Sequence, residues 1–115
     1  MSLPEADVAL VRAYCAAVSP DEFAADARVE CVVSATSVTI VEASRLNAER
    51  DEDWLRVPCA RLDHDAGRQL WTLWCFDPDS RAQRYDVWEP DFVQPTTVDV
   101  ILAEIEADPT EIFWG

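Results

Sequence analysis

Lysine is absent, so every cation of this 115-residue chain is one of nine arginines, set against 23 carboxylates for a net charge of −14. That balance argues against nucleic acid and anionic membranes as direct partners, because phosphate recognition draws on Lys and Arg. A basic protein, a metal ion or a cationic ligand stays open. Glycine occurs only twice, which excludes a glycine-rich phosphate loop and speaks against low-complexity sequence. His64 is the only histidine, so no multi-histidine metal site can form. Cys15, Cys31, Cys59 and Cys75 make no Cys-x-x-Cys pair, whereas structural zinc sites usually take two ligands from one such knuckle. These cysteines read as buried free thiols that behave as small hydrophobes. Neither a Gly-x-Ser-x-Gly elbow nor a His-Glu-x-x-His helix is present, so no catalytic residue, metal or cofactor is implied. No apolar run reaches the roughly 18 residues of a membrane span. The opening Met-Ser-Leu-Pro-Glu-Ala-Asp is no signal peptide, and the expected compartment is the cytoplasm.

What is present suits one domain over residues 1–115. Half the residues are apolar and five are tryptophan, and a chain of this size buries roughly two-thirds of its unfolded surface. Ser2, Pro4 and Glu5 mark a helix start. Leu3, Leu10, Val11, Tyr14 and Val18 supply an apolar stripe. Ser19-Pro20 ends that helix and starts a short second one, anchored by Phe23. Val29, Cys31 and Val33 then alternate with Arg28, Glu30 and Val32, and Val38 to Ala43 is rich in β-branched residues, which predicts a hairpin. Residues 44–53 are polar and read as a loop; with no glycine there, the acidic cluster does not match a calcium loop. Trp54 to Leu62, Gln69 to Phe76 and Arg81 to Trp88 read as three more strands. They are joined by Asp65-Ala66-Gly67, with a left-handed glycine, and by Asp77-Pro78-Asp79-Ser80. Thr96 or Thr97 caps a final helix with Val98, Ile101, Leu102 and Ile105 inward. Ile112, Phe113 and Trp114 are expected to dock back on the body. The fold class is therefore α+β: a five-stranded antiparallel meander with N-terminal and C-terminal helices packed on one face.

Sheet register decides which residues share a surface. If His64 pairs with Arg68 and Phe76 with Arg81, then Leu62, Leu70 and Val87 face the core, with Ala60, Thr72 and Tyr85 in the next row. The other face then gathers Arg61, Trp71 and Asp86, with Cys59, Leu73 and Arg84 beside them. A slip of one residue mixes the faces. Arg61, Trp71, Arg84 and Asp86, extended by Trp88 at the rim, form the candidate binding patch, since Trp and Arg are enriched at interface hot spots. His64, between Asp63 and Asp65, reads as an exposed turn residue. Strand five is the candidate sheet edge, guarded by Arg81 and Arg84.

The second half also resembles a known family. The Trp-Thr-Leu-Trp run at 71–74, the Tyr85-Asp86-Val87-Trp88 segment and the closing Asp-Pro-Thr-Glu-Ile-Phe-Trp-Gly at 108–115 carry the resemblance. It is to a family of small bacterial proteins known only as a domain of unknown function, over roughly residues 55–115. It implies no activity, ligand or catalytic residue.

The expectation for function is a non-enzymatic protein-interaction module, steered by its acidic charge to a basic protein partner, with a homodimer through a sheet face or edge as one form. The alternative is a small-molecule-binding protein or enzyme with a site in a sheet–helix cleft lined by Trp74, Tyr85 and nearby carboxylates.

Overall fold

A computed structural model describes residues 3–19, 27–45 and 54–114. The chain runs α1 (Glu5–Val18), β1 (Ala27–Val33), β2 (Ser37–Arg45), β3 (Trp54–Asp65), β4 (Leu70–Phe76), β5 (Ala82–Arg84), α2 (Tyr85–Trp88) and α3 (Val98–Ala107). Five antiparallel strands form one sheet in sequence order, giving the expected α+β architecture. The short second helix and its Phe23 anchor fall on residues 20–26, and most of the polar loop on 46–53, outside the described residues. Ser44 and Arg45 belong to β2 rather than to that loop.

The helices bury faces set by their 3.6-residue period. Pro4 is the N-cap of α1, with no side-chain cap; Ser2 lies outside the described residues. The buried stripe runs through Leu3, Val11 and Cys15, with Val8 and Tyr14 packed beside it. Leu10 instead points outward, 49% exposed. One step along a helix turns a side chain by about 100°, so Leu10 and Val11 cannot both face the sheet centre. Ser19 ends α1: its hydroxyl donates to the Cys15 carbonyl at 2.9 Å while accepting the Val29 N–H at 3.0 Å, which ties the helix end to the β1 edge. In α3, Val98, Ile101 and Ile105 are buried, as the stripe predicts. Asp108 follows in the left-handed region, φ 43°. Its carboxylate accepts the N–H groups of Phe113 and Trp114 at 3.1 and 2.9 Å. That turn folds the aromatic end back, and Phe113 joins the core.

Turn geometry moves the register away from expectation. His64 pairs with Trp71, not Arg68, and Asp65 with Leu70. The Asp65 carboxylate accepts the N–H groups of Gly67 and Arg68 at 3.0 and 3.2 Å, building the turn from a side chain. The left-handed residue is Gln69, φ 57°, and not Gly67. The loop is longer, and the pairing partner of His64 moves by an odd number of residues. Trp71, Leu73 and Cys75 therefore face the helices and are wholly buried, while Leu70, Thr72 and Trp74 go to the other side. The second turn shifts by one: Phe76 pairs with Ala82. There the Asp77 carboxylate accepts the Asp79 and Arg81 N–H groups, both at 2.9 Å, and Ser80 takes φ 62°.

The expected fifth strand is cut short. Only Ala82–Arg84 pair with β4, and Tyr85–Trp88 make a helical turn. Four residues fit either period, so alternation could not separate strand from turn. The turn sends Tyr85 into the core and leaves Val87 73% exposed. The rest of the β4 edge is closed from a distance. Trp71 and Thr96 exchange two backbone hydrogen bonds, at 2.7 and 2.9 Å. Between them and β5, the Gln94 side-chain amide stands in for a strand residue: its Oε1 accepts the Leu73 N–H at 2.8 Å and its Nε2 donates to the Leu73 carbonyl at 3.3 Å. Both Leu73 groups sit in a water-poor core, where an orphaned donor costs about 1–3 kcal/mol. Gln94→Ala is therefore expected to destabilise the fold by about 1–3 kcal/mol, read as a lower urea midpoint with an unchanged slope. A variant within error of wild type would show that this edge needs no such closure.

Candidate interaction surface

Among the described residues, the packed helical elements lie on one side of the sheet, through Val11, Cys15, Tyr85, Ile101, Ile105 and Phe113. The side chains of β1 that meet them are Val29 and Cys31, so Arg28, Glu30 and Val32 point the other way. Row by row, that open face joins Val32, Thr39, Arg61, Trp74 and Arg84. It also joins Arg28 with Ala43 and Arg56, and Arg45 with Trp54.

A bulge in β3 creates this composition. Ile40 pairs with Ala60 but Val41 with Pro58, so Cys59 is an extra residue. Strict alternation from Ala60 and Leu62 would place Trp54 and Arg56 beneath the helices. The extra residue reverses the parity and delivers both to the side of Arg61. Pro58 is tolerated at such a break because it has no N–H to lose from the ladder.

Two arginine–tryptophan clusters result. In one, the Arg28 guanidinium lies 4.2 Å above the centre of Trp54 and that of Arg45 lies 5.6 Å above it. Glu30 pairs with both Arg28 and Arg56 at 3.0 Å. In the other, Arg61 lies 4.6 Å above Trp74 and holds Asp63 by two bonds, at 2.9 and 3.2 Å. Arg84, in the row of Trp74, donates to Asp86 at 2.8 Å. Stacking on a ring and pairing at the edge fix the Arg28 and Arg61 guanidiniums, which lowers the conformational entropy that a partner must remove. Beside Trp74 lies a shallow depression bordered by Asp63, Thr72, Arg84 and Gln94.

Of the residues expected in the patch, Arg61, Arg84 and Asp86 come together here. Trp71 does not: it is 0% exposed, on the helix side, and its indole N–H donates to Asp7 of α1 at 2.8 Å. The odd register shift puts Trp74 in its place. Trp88 is exposed at the rim, but its indole N–H donates to Gln83 at 2.6 Å, away from the Arg61–Trp74 stack. Trp54, Arg28, Arg45 and Arg56 were missed. Pro58 inside a strand-like run was the available signal, since a proline there marks a bulge or an edge. His64 is a β3 residue rather than an exposed turn residue, its ring 4.8 Å from that of Trp71. β5 is a sheet edge as expected, although only three residues long.

The expected pairing of Trp74 with Tyr85 in one sheet–helix cleft does not occur. Trp74 and Tyr85 lie on opposite sides of the sheet. Tyr85 is buried against Phe92 and Phe113, at 5.3 and 5.0 Å between ring centres, and its hydroxyl donates to Glu104 at 2.6 Å. Burial, then the Glu104 carboxylate, holds that phenol protonated well above the ordinary tyrosine range. Three of the four thiols are equally unsuited to attack. Burial pushes Cys15 up to about 12, helped by neighbouring Cys31, and Cys59 up to about 11, helped by Glu42; Cys75 is raised by burial as well. A protonated thiol is a poor nucleophile and metal ligand. Among the described residues, no group of three or more His, Cys, Asp or Glu could hold a metal ion, and no helix is long and apolar enough to cross a membrane.

A family model described as a domain of unknown function, DUF3024, matches residues 2–115, and the chain belongs to that family. The match extends the resemblance seen in the second half across the first. No curated protein and no solved structure matches the chain.

The raised thiols carry a sign that can be checked. Folding keeps protons on Cys15 and Cys59 that the unfolded chain releases above about 9. Their contribution to stability is full below that pH and is lost as pH rises towards about 11 for Cys59 and about 12 for Cys15. Urea midpoints measured from neutral to alkaline pH are expected to fall more steeply above pH 9 in wild type than in Cys15→Ala. Parallel curves would show that Cys15 does not titrate with folding.

Proposed function

We propose that this protein is a non-enzymatic, cytoplasmic protein-interaction module that docks its partner on the open face of the sheet. The observation that carries this reading is the pair of arginine–tryptophan clusters on a face away from the helices, with guanidiniums stacked on Trp54 and Trp74 at 4.2 and 4.6 Å. Interface hot spots favour Trp and Arg held rigidly within a patch that excludes water. Trp74 is half-buried between Arg61 and Arg84, and Val32 presents an exposed apolar side chain in the same row. The face thus sets apolar and aromatic side chains among charged ones, the mixture that a docking surface uses. The alternative, a small-molecule-binding protein or enzyme with a sheet–helix cleft, has less support, since Trp74 and Tyr85 do not line one cleft together.

A tagged protein and two variants test the reading on cell lysate. Trp74→Ala alters the open face; Val100→Glu alters the outer side of α3, where Val100 is exposed. Wild type and Val100→Glu are expected to retain the same partner, and Trp74→Ala to lose most of it, as a hot-spot loss of about 2 kcal/mol or more implies. Retention by Trp74→Ala with loss by Val100→Glu would move the interface to the helices.

A further inference from the structure

The two edges of the sheet are finished differently. Along β4 the backbone meets Thr96, then the Gln94 amide, then β5. Along β1 the bonding alternates, as in any antiparallel ladder. The Ser34 N–H turns inward to the Ser37 carbonyl at 2.8 Å. Val29 turns its N–H and its carbonyl away from β2 to the Ser19 hydroxyl, at 3.0 and 3.3 Å, so the odd-numbered residues of β1 face outward. Ser19 closes the edge at Val29. Cys31 and Val33 follow on the same parity with two N–H and two carbonyl groups turned outward, and no backbone or side-chain group among the described residues takes them. Open edges are usually guarded by a charged residue, a proline or a bulge. Cys31-Val32-Val33 has none of these: its register with β2 is unbroken, and Val32 and Val33 are exposed.

Beside this stretch, on the helix side, α1 and the end of β1 border a largely apolar depression lined by Leu3, Val8, Ala9, Arg12 and Val33. We propose that the β1 edge takes an extended segment of a partner protein as a sixth strand, its backbone pairing with Cys31 and Val33 and its apolar side chains entering the depression from alternate positions. In recognition of this kind, main-chain bonds supply the affinity and pockets for alternate side chains select the sequence. The unpaired backbone fixes the conformation of the occupant, since an extended chain presents donors and acceptors at the spacing of a strand. A second copy of this chain fits poorly. Antiparallel pairing of two β1 edges would set both α1 helices, which lie over β1, on the same face at the strand spacing of about 4.8 Å, whereas packed helices need about 8–10 Å. It would also join two bodies of net charge −14. A free strand that carries no helix meets neither obstacle. The edge and the tryptophan clusters are separate surfaces, so each reading can fail alone.

Amide hydrogen exchange on the full chain, read by nuclear magnetic resonance, tests this directly. Two probes are added: a short blocked peptide of alternating Val and Thr, and its counterpart with two central residues replaced by proline, which cannot donate. The Cys31 and Val33 amide protons are expected to exchange fast in the free chain and about tenfold or more slowly with the Val–Thr peptide, and the proline peptide to have no such effect. Affinity for the Val–Thr peptide should fall about tenfold or more in Val33→Pro, which removes one outward donor and keeps the bonds to β2, and stay unchanged in Val87→Ala on α2. If Val33→Pro perturbs the buried Trp71 indole signal, and so the fold, the two peptides give the same comparison on wild type. Slow exchange of Cys31 and Val33 in the free chain at every protein concentration would show the edge already closed and overturn the proposal. Slowing that grows with protein concentration, together with a doubled mass in solution, would replace the partner by a second copy. Peptide binding that moves the Trp54 and Trp74 indole signals and leaves Cys31 and Val33 unprotected would overturn the edge and keep the open face. No protection of Cys31 or Val33 by the Val–Thr peptide would overturn the edge as a docking site.

Discussion

The indole of Trp71 joins three parts of the molecule that are distant in sequence. Its ring is wholly buried beneath the helices, its N–H reaches Asp7 on α1 at 2.8 Å, and its backbone pairs in both directions with Thr96. A buried indole must satisfy its single donor or lose about 1–3 kcal/mol. Asp7 is therefore held where α1 crosses the sheet, and the segment leading into α3 is held against the open edge of β4. Tyr14 and Tyr85 repeat the device, donating to Glu106 and Glu104 of α3 at 2.9 and 2.6 Å. Aromatic rings with one polar tip, each aimed at a carboxylate on a helix, fasten α1 to α3 and α3 to the region of β5. Part of the acidic excess thus serves the fold from its part-buried and exposed surface, as acceptors for aromatic donors.

The position of Trp71 also decides what the other face carries. Side chains alternate along a strand, so burying residues 71, 73 and 75 places Trp74 outside. The Cys59 bulge makes the matching change in β3, turning Trp54 and Arg56 to the same side. Two local irregularities, a turn built by the Asp65 carboxylate and one extra strand residue, bring the two arginine–tryptophan clusters onto a single surface. An exposed ion pair contributes little to stability, commonly under about 1 kcal/mol. Stacking and pairing of these arginines therefore matter more for the shape and rigidity of the surface than for holding the fold.

The legible parts of the sequence were those governed by strong periodicity and by chain ends. The α3 stripe, the β1–β2 hairpin, the meander order and the docking of Phe113 all follow from side-chain spacing and punctuation. Register did not, because it depends on how Asp65 and Asp77 fold their own turns, and a loop longer by a residue or two leaves no periodic trace. Tyr85–Trp88 was misread as strand for lack of length. Within the candidate surface, Arg61 and Arg84 were found on a correct parity and Asp86 reaches it from the helical turn, whereas Trp71 and Trp74 exchanged places. Arg28 was recognised as facing away from Val29 and Cys31, yet its neighbours Trp54 and Arg56 depended on the bulge that Pro58 marks.

Every part of this account requires Trp71 to be core and Trp74 surface. Hydrogen–deuterium exchange of the tryptophan indole N–H groups, followed by nuclear magnetic resonance under native conditions, measures that most directly. The Trp71 indole proton, bonded to Asp7 and excluded from water, should exchange only through opening of the fold, orders of magnitude more slowly than that of Trp88, which is 47% exposed. Exchange of Trp71 as fast as that of Trp88 would return Trp71 to the surface, restore the other sheet register, and remove the basis for the surface described above.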